Sequence, residues 1–215
     1  MSKKLVAFCG AKESGKSTSA VLFKDLIGQP TVEVAFAGHL KEVCSQVFDV
    51  EMKYFLESKL KERELNDYKQ LTKERVEKIF ELFDITNFDY DKHVRPHTGQ
   101  VFDTPRKILQ YVGTEVLHPI DPLIHVNVTL KKINPDVITL VTDLRFPQEF
   151  DALYGREDFL PVHVQNTRAE LAAEADSHAS EKGWQKFKDR CVVLDNNGPI
   201  SRLTDNLKQM IKEKV

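Results

Sequence analysis

Residues Gly10-Ala11-Lys12-Glu13-Ser14-Gly15-Lys16-Ser17 fit the pattern GxxxxGK[ST] in full. The spacing answers a physical demand. Glycines at both ends let the backbone wrap tightly, so that its N–H groups point at an anion. The Lys16 ammonium adds a positive charge at the same place, and the Ser17 hydroxyl is suited to ligate Mg2+. Leu5-Val6-Ala7-Phe8-Cys9 precedes the loop as an uninterrupted apolar run, which marks a strand buried on both faces. A helical pattern over about 16–27 follows, and its N-terminus turns a positive end toward the same anion. Strand, glycine loop and helix in this order make the segment a P-loop. Gly10, Ala11, Lys12, Glu13, Ser14, Gly15, Lys16, Ser17 and Thr18 are therefore expected to line the phosphates of ATP.

The remaining chain alternates in the same way. Apolar runs at Val137–Thr142 and Cys191–Leu194 read as further buried strands, with weaker candidates at Phe159–Val164 and Val32–Phe36. Helical patterns lie between them, at about 39–48, 105–113, 122–133, 147–154, 178–188 and 200–213. This alternation predicts an α/β fold, a three-layer sandwich around a central parallel sheet. Thr104-Pro105 and Asp121-Pro122 each set a capping residue before a proline at the first helical position. The stretch 51–83 is dense in charge of both signs. Val76, Ile79, Phe80 and Phe83 nevertheless fall at i, i+3, i+4 and i+7, so its second half is expected to be an amphipathic helix. Residues 84–103 read as a loop.

A length of 215 residues suits one domain, here with an insertion over about 50–103 and a lid over about 166–180. The charges nearly cancel, 31 Lys+Arg against 33 Asp+Glu, which argues against a protein that coats nucleic acid or an anionic membrane. Cys9, Cys44 and Cys191 are odd in number and widely spaced, as expected of reduced thiols in the cytoplasm. No apolar run approaches the length of a signal-peptide core or a membrane span. The chain lacks an NKxD guanine signature and is short for a helicase or motor. A P-loop protein of this size is most often a small-molecule kinase, although an ATP-sensing module remains open, as does a homodimer.

Several blocks beyond the P-loop bear on the choice. Arg106-Lys107-Ile108-Leu109-Gln110-Tyr111-Val112-Gly113-Thr114 contains R-x-x-x-Q-x-x-G-T. Asp143-Leu144-Arg145-Phe146-Pro147-Gln148-Glu149 contains D-x-R-x-x-x-E. His178-Ala179-Ser180-Glu181, Asp195-Asn196-Asn197-Gly198 and Phe36-Ala37-Gly38-His39-Leu40-Lys41 complete the set. Together and in this order they resemble the deoxynucleoside monophosphate kinases of T-even and related bacteriophages. The resemblance implies transfer of the γ-phosphoryl of MgATP to a deoxynucleoside 5′-monophosphate, in the host cytoplasm if the chain is phage-encoded. Ser17 stands where that family often has Asp, and 50–103 shows little block resemblance. Dephospho-CoA kinases, with similar architecture and a similar Asn-Asn-Gly ending, are the nearest alternative.

Under this resemblance the candidate residues take roles that suit phosphoryl transfer, which needs cations around phosphate oxygens more than a protein nucleophile. Arg106, in the first turn of a proline-capped helix, is expected to hold the acceptor phosphate, with Lys41 and Gln110 beside the substrate. Asp143 and Arg145 follow a strand, where ligands gather in parallel sheets. Asp143 would hold Mg2+ through water or orient the acceptor, and Arg145 would bind phosphate; the alternative is an Asp–Arg pair tying strand to helix. Glu149 reads as structural, holding an arginine. Arg168 is expected to be carried by a lid over the transferring phosphoryl group, though Ala169–Asp176 also fits a plain helix. Asn196, Asn197 and Gly198 are expected to shape the adenine pocket, or simply to make a tight turn.

Overall fold

A computed structural model describes residues 3–174 and 183–215. Its strands, in chain order, are β1 (Leu5–Cys9), β2 (Thr31–Val34), β3 (Lys69–Gln70), β4 (Val101–Phe102), β5 (Ile138–Val141), β6 (Phe159–Gln165) and β7 (Val192–Asp195). The described residues form two compact units, one from Met1–Phe36 with Thr129–Val215 and the other from Ala37–Val128.

The first unit is built on a five-stranded sheet in the order β2-β5-β1-β6-β7, parallel throughout and flanked by helices. The α/β reading of the sequence is correct, and the reason is visible in burial. Every residue of β1 and β5 is buried, as a parallel strand covered on both faces requires. Helix Ile200–Lys214 buries Leu203, Leu207 and Met210, at i, i+4 and i+7, in a cluster with Phe8, Ala20, Phe23, Leu140 and Leu160. Helix Lys16–Ile27 adds Ala20 and Phe23 to that core and ends at Gly28, whose φ of 62° is the left-handed conformation of a helix stop. Register pairs Leu5 with Phe159 and Cys9 with His163, so the loop after Cys9 opens beside the carboxyl end of β6. Cys9 and Cys191 are free thiols with sulfurs 3.8 Å apart. Their shared hydrogen bond, and then burial, push the Cys9 thiol up and keep it protonated.

The second unit has its own core, in which Phe48, Phe55, Leu71, Val76, Ile79, Phe80, Phe102 and Ile108 pack together. The expected amphipathic helix runs Lys73–Leu82, and the Thr72 hydroxyl caps it by accepting from Arg75 N–H. Thr104 caps helix Pro105–Tyr111 in the same way, accepting from Lys107 N–H. That helix runs on through a π turn, Val112–Leu117. Two expectations need correction. The helix expected from Pro122 begins at Ile124, because Asp121 first holds Leu123 N–H in a turn at 2.8 Å. Residues 84–103 are more than a loop: they hold helix Tyr90–His93, a 3-10 turn at Arg95–His97 and strand β4, which pairs antiparallel with β3. Elements this short show no periodicity, and they are anchored by the single buried residues Val94 and Phe102. No helix among the described residues is long and apolar enough to cross a membrane.

Candidate phosphoryl-transfer site

The P-loop follows β1 without a break, and two of its glycines are sterically required. Gly10 has φ 137°, and a Cβ there would lie 2.7 Å from the Val164 carbonyl. Gly15 has φ 99°, and a Cβ there would lie 2.3 Å from Asn196 Nδ2. Both conformations are strained for any residue with a side chain. Lys16 Nζ donates to the carbonyls of Gly10 at 3.0 Å and Ala11 at 2.6 Å, which sets the ammonium in the mouth of the loop. Lys12, Glu13, Ser17 and Thr18 are exposed, whereas Ala11 and Ser14 are buried. A cradle that glycine alone can form, an ammonium inside it and an exposed hydroxyl at the helix start together fit a magnesium-bound triphosphate.

At the carboxyl end of β5 the chain turns through Asp143 and Arg145 into helix Pro147–Tyr154. Asp143 Oδ1 accepts from Phe36 N–H at 2.8 Å, so this carboxylate ties the end of β5 to the chain leaving β2. Glu149 Oε2 accepts from the N–H groups of Arg145 at 2.8 Å and Phe146 at 2.9 Å. It thus holds an arginine as expected, but through the backbone. Gly183 packs against the other side of the turn, where a Cβ would lie 2.4 Å from the Arg145 carbonyl.

Glu149 is buried, and burial, followed by the nearby Asp143 carboxylate, pushes its carboxyl up to about 8 against the pull of the two N–H donors. A carboxyl with a raised folded-state pKa keeps its proton longer in the folded chain than in the unfolded one. Its stabilising contribution is complete below the ordinary value of 4.5 and is lost as pH rises through about 8. Glu149→Gln removes that titration. The melting temperature of the variant should therefore gain on that of the wild type as pH is raised from about 5 to about 8. Parallel curves over that range would show that Glu149 is already ionised in the folded protein.

Asn196, after β7, touches the P-loop, and Asn166, just after β6, touches Asn196. Asn196 Nδ2 donates to the Ser14 carbonyl at 2.8 Å, and Asn166 Nδ2 donates to the Asn196 carbonyl at 2.8 Å. Asn197 Oδ1 accepts from Thr167 N–H at 2.8 Å. Asn197 Nδ2 and N–H both donate to Asp195 Oδ1, and Asp195 Oδ2 pairs with Arg202 at 2.9 Å. Gly198 lies against Arg202, with 2.9 Å between a Cβ there and its Cδ. The Asn-Asn-Gly turn is thus tied to the phosphate cradle by side chains. Asn166 was not singled out from sequence. The signal was present: an asparagine between a strand and Thr167, a preferred helix N-cap.

The first half of the expected lid, Thr167–Glu174, is a helix with Ala169 and Ala173 turned inward and Arg168 exposed. Residues 175–182, and with them His178 and Glu181, lie outside the described residues. In the second unit, Lys41 is half-buried on helix Gly38–Phe48, and Arg106 and Gln110 lie on helix Pro105–Tyr111. Arg106 Nε is ion-paired with Glu62, a partner 44 residues away in sequence.

No protein-family model matches the chain. A protein of Acanthamoeba polyphaga mimivirus, provisionally named a deoxynucleotide monophosphate kinase, is 27% identical over 96% of this chain and 98% of its own length. The deoxynucleoside-5′-monophosphate kinase of Escherichia phage T5 is 28% identical over 83% of this chain and 84% of its own. The chain is thus similar to both of these viral proteins over most of its length. The phage on this side is T5 rather than a T-even phage. A crystal structure of TT1252 from Thermus thermophilus covers all of both chains at 15% identity with a TM-score of 0.45, a likeness too low to add to the fold or the function.

Proposed function

We propose that this chain is an ATP-dependent deoxynucleoside monophosphate kinase. It moves the γ-phosphoryl group of MgATP to a deoxynucleoside 5′-monophosphate, giving the diphosphate and ADP. The observation that carries this reading is similarity over nearly the whole chain to two viral kinases of that name, in a protein whose β1 ends in a complete phosphate cradle.

A phosphate oxygen of the acceptor attacks the γ-phosphorus, and the bond to the ADP oxygen breaks. The acceptor oxygen is largely ionised at neutral pH, so the protein need not remove a proton. Its work is positioning and charge neutralisation. Lys16 serves the β- and γ-oxygens, and the loop N–H groups hold the β-phosphate. Ser17 would hold the magnesium of MgATP, with Asp143 reaching it through water, and the ion would supply charge neutralisation on the phosphates. Arg145 and Asp143 act near the reacting phosphates from the end of β5, and Asn197 lies by the adenine of ATP. Lys41, Arg106 and Gln110 bind the acceptor.

Arg106 tests the acceptor side. Its guanidinium faces Glu62, so an incoming phosphate dianion shares or replaces a carboxylate of like charge. A charge-assisted hydrogen bond is worth about 1.5–3 kcal/mol, on the order of ten- to a hundredfold in affinity. Arg106→Ala should raise KM for the monophosphate by that factor and change KM for ATP by less than about threefold. An equal effect on both substrates, or on neither, would remove Arg106 from the acceptor site.

A further inference from the structure

We propose that Asn166 and Asn196 are positioning residues that fix the Arg168 helix to the phosphate cradle, so that occupation of the P-loop and placement of Arg168 are one event. The inference rests on the kinase reading for its consequence, and on three hydrogen bonds for its geometry.

The path is continuous. Ser14, in the P-loop, offers its carbonyl to Asn196 Nδ2 at 2.8 Å. Asn196 offers its own carbonyl to Asn166 Nδ2 at 2.8 Å, and its N–H is held by the Gln165 carbonyl at 2.8 Å. Asn166 Oδ1 then accepts from Ala169 N–H at 3.0 Å, capping the helix whose second residue is Arg168. The Asn166 carbonyl accepts from Glu170 N–H at 2.9 Å, so side chain and backbone of one residue define the helix start. A further bond, Thr167 N–H to Asn197 Oδ1, runs beside the path.

The chemistry explains the choice of asparagine. Asn166 must donate at one atom and accept at the other, and a primary amide does both. An aspartate there would cap the helix but set a bare oxygen against the Asn196 carbonyl. Asn196 must donate to Ser14 while lying against the glycine at position 15, where no side chain fits. Hydrogen bonds that share a residue reinforce one another, so a shift at Ser14 is felt at the cap of the Arg168 helix. A misplacement of about 1 Å in a transfer site can reduce the rate about a hundredfold.

Asn166→Ser separates the two jobs of that residue. Serine is a good N-cap, so the helix keeps its start, but its side chain is too short to reach the Asn196 carbonyl. Asn196→Ala cuts the path at its other end. The first measurement needs no substrate: hydrogen exchange by mass spectrometry on the full-length free protein. Asn166→Ser should speed exchange about fivefold across residues 11–19, which Asn166 does not touch, as the loss of one hydrogen bond of about 1 kcal/mol implies. The second measurement is kinetic. Each variant should lose about tenfold or more in kcat with KM for the monophosphate within about threefold of wild type. The double variant should be no slower than the slower single one, because the two residues act in series. Wild-type exchange at 11–19 in Asn166→Ser would overturn the proposal, as would losses in kcat that multiply in the double variant. A wild-type protein that transfers no phosphoryl group would instead overturn the kinase reading, while the exchange measurement still decides the connection.

Discussion

Lys16→Ala should lower kcat by on the order of a hundredfold or more while the protein stays folded. The Lys16 ammonium donates to the carbonyls of Gly10 and Ala11, at the rim of a loop and outside the apolar core. Removing it leaves those carbonyls to water, a loss of about 1 kcal/mol against a sheet whose central strands are wholly buried. Catalysis is affected far more. As the γ-phosphoryl group departs, charge gathers on the oxygen bridging it to the β-phosphate, and a fixed cation there is worth more in the transition state than in the ground state. The loss should therefore appear in kcat rather than in ATP affinity alone. Turnover and the unfolding midpoint, measured on the same preparation, check it. A folded Lys16→Ala protein with near-native turnover would dismiss the P-loop as the site of transfer.

Arg168→Lys should reduce kcat at least about tenfold with ATP affinity little changed. Arg168 is exposed at the start of a helix held by Asn166 and by the inward-facing Ala169 and Ala173. An arginine that meets the transferring phosphoryl group contributes about 10³–10⁵ in rate in phosphoryl-transfer enzymes. Two parallel N–H bonds from one planar group produce that effect, and the single ammonium of lysine does not reproduce them. The substitution keeps the charge and the helix propensity, so neither stability nor long-range attraction accounts for a loss. Equilibrium binding of ATP, with kcat under saturation, separates the outcomes. Wild-type turnover in the lysine variant would make Arg168 an ordinary surface residue.

Much of the first unit could be read from the chain because each signal was local. The five residues of β1 are apolar without interruption, the glycines of the P-loop sit where a Cβ would collide, and the helix Pro147–Tyr154 matches its expected limits. The second unit was harder for a physical reason. Strands β3 and β4 are two residues each and are held by pairing across 30 residues of chain, which leaves no alternation to detect. The ion pair of Arg106 with Glu62 was invisible for the same reason: neither position announces the other. Asn196 and Gly198 were read as shapers of a nucleotide pocket or a turn. Sequence gave no sign that Asn196 grips the Ser14 carbonyl, because the P-loop and the last strand meet only in the folded sheet.

Transfer to a deoxynucleoside monophosphate is read most directly by following the label of [γ-32P]ATP. The wild-type protein is supplied with magnesium and, in separate reactions, each deoxynucleoside monophosphate, each ribonucleoside monophosphate, dephospho-CoA or no acceptor. Label should appear in the diphosphate of at least one deoxynucleotide, at a rate well above the release of labelled inorganic phosphate without acceptor. Label confined to inorganic phosphate in every reaction, or transferred to dephospho-CoA and to no deoxynucleotide, would contradict it.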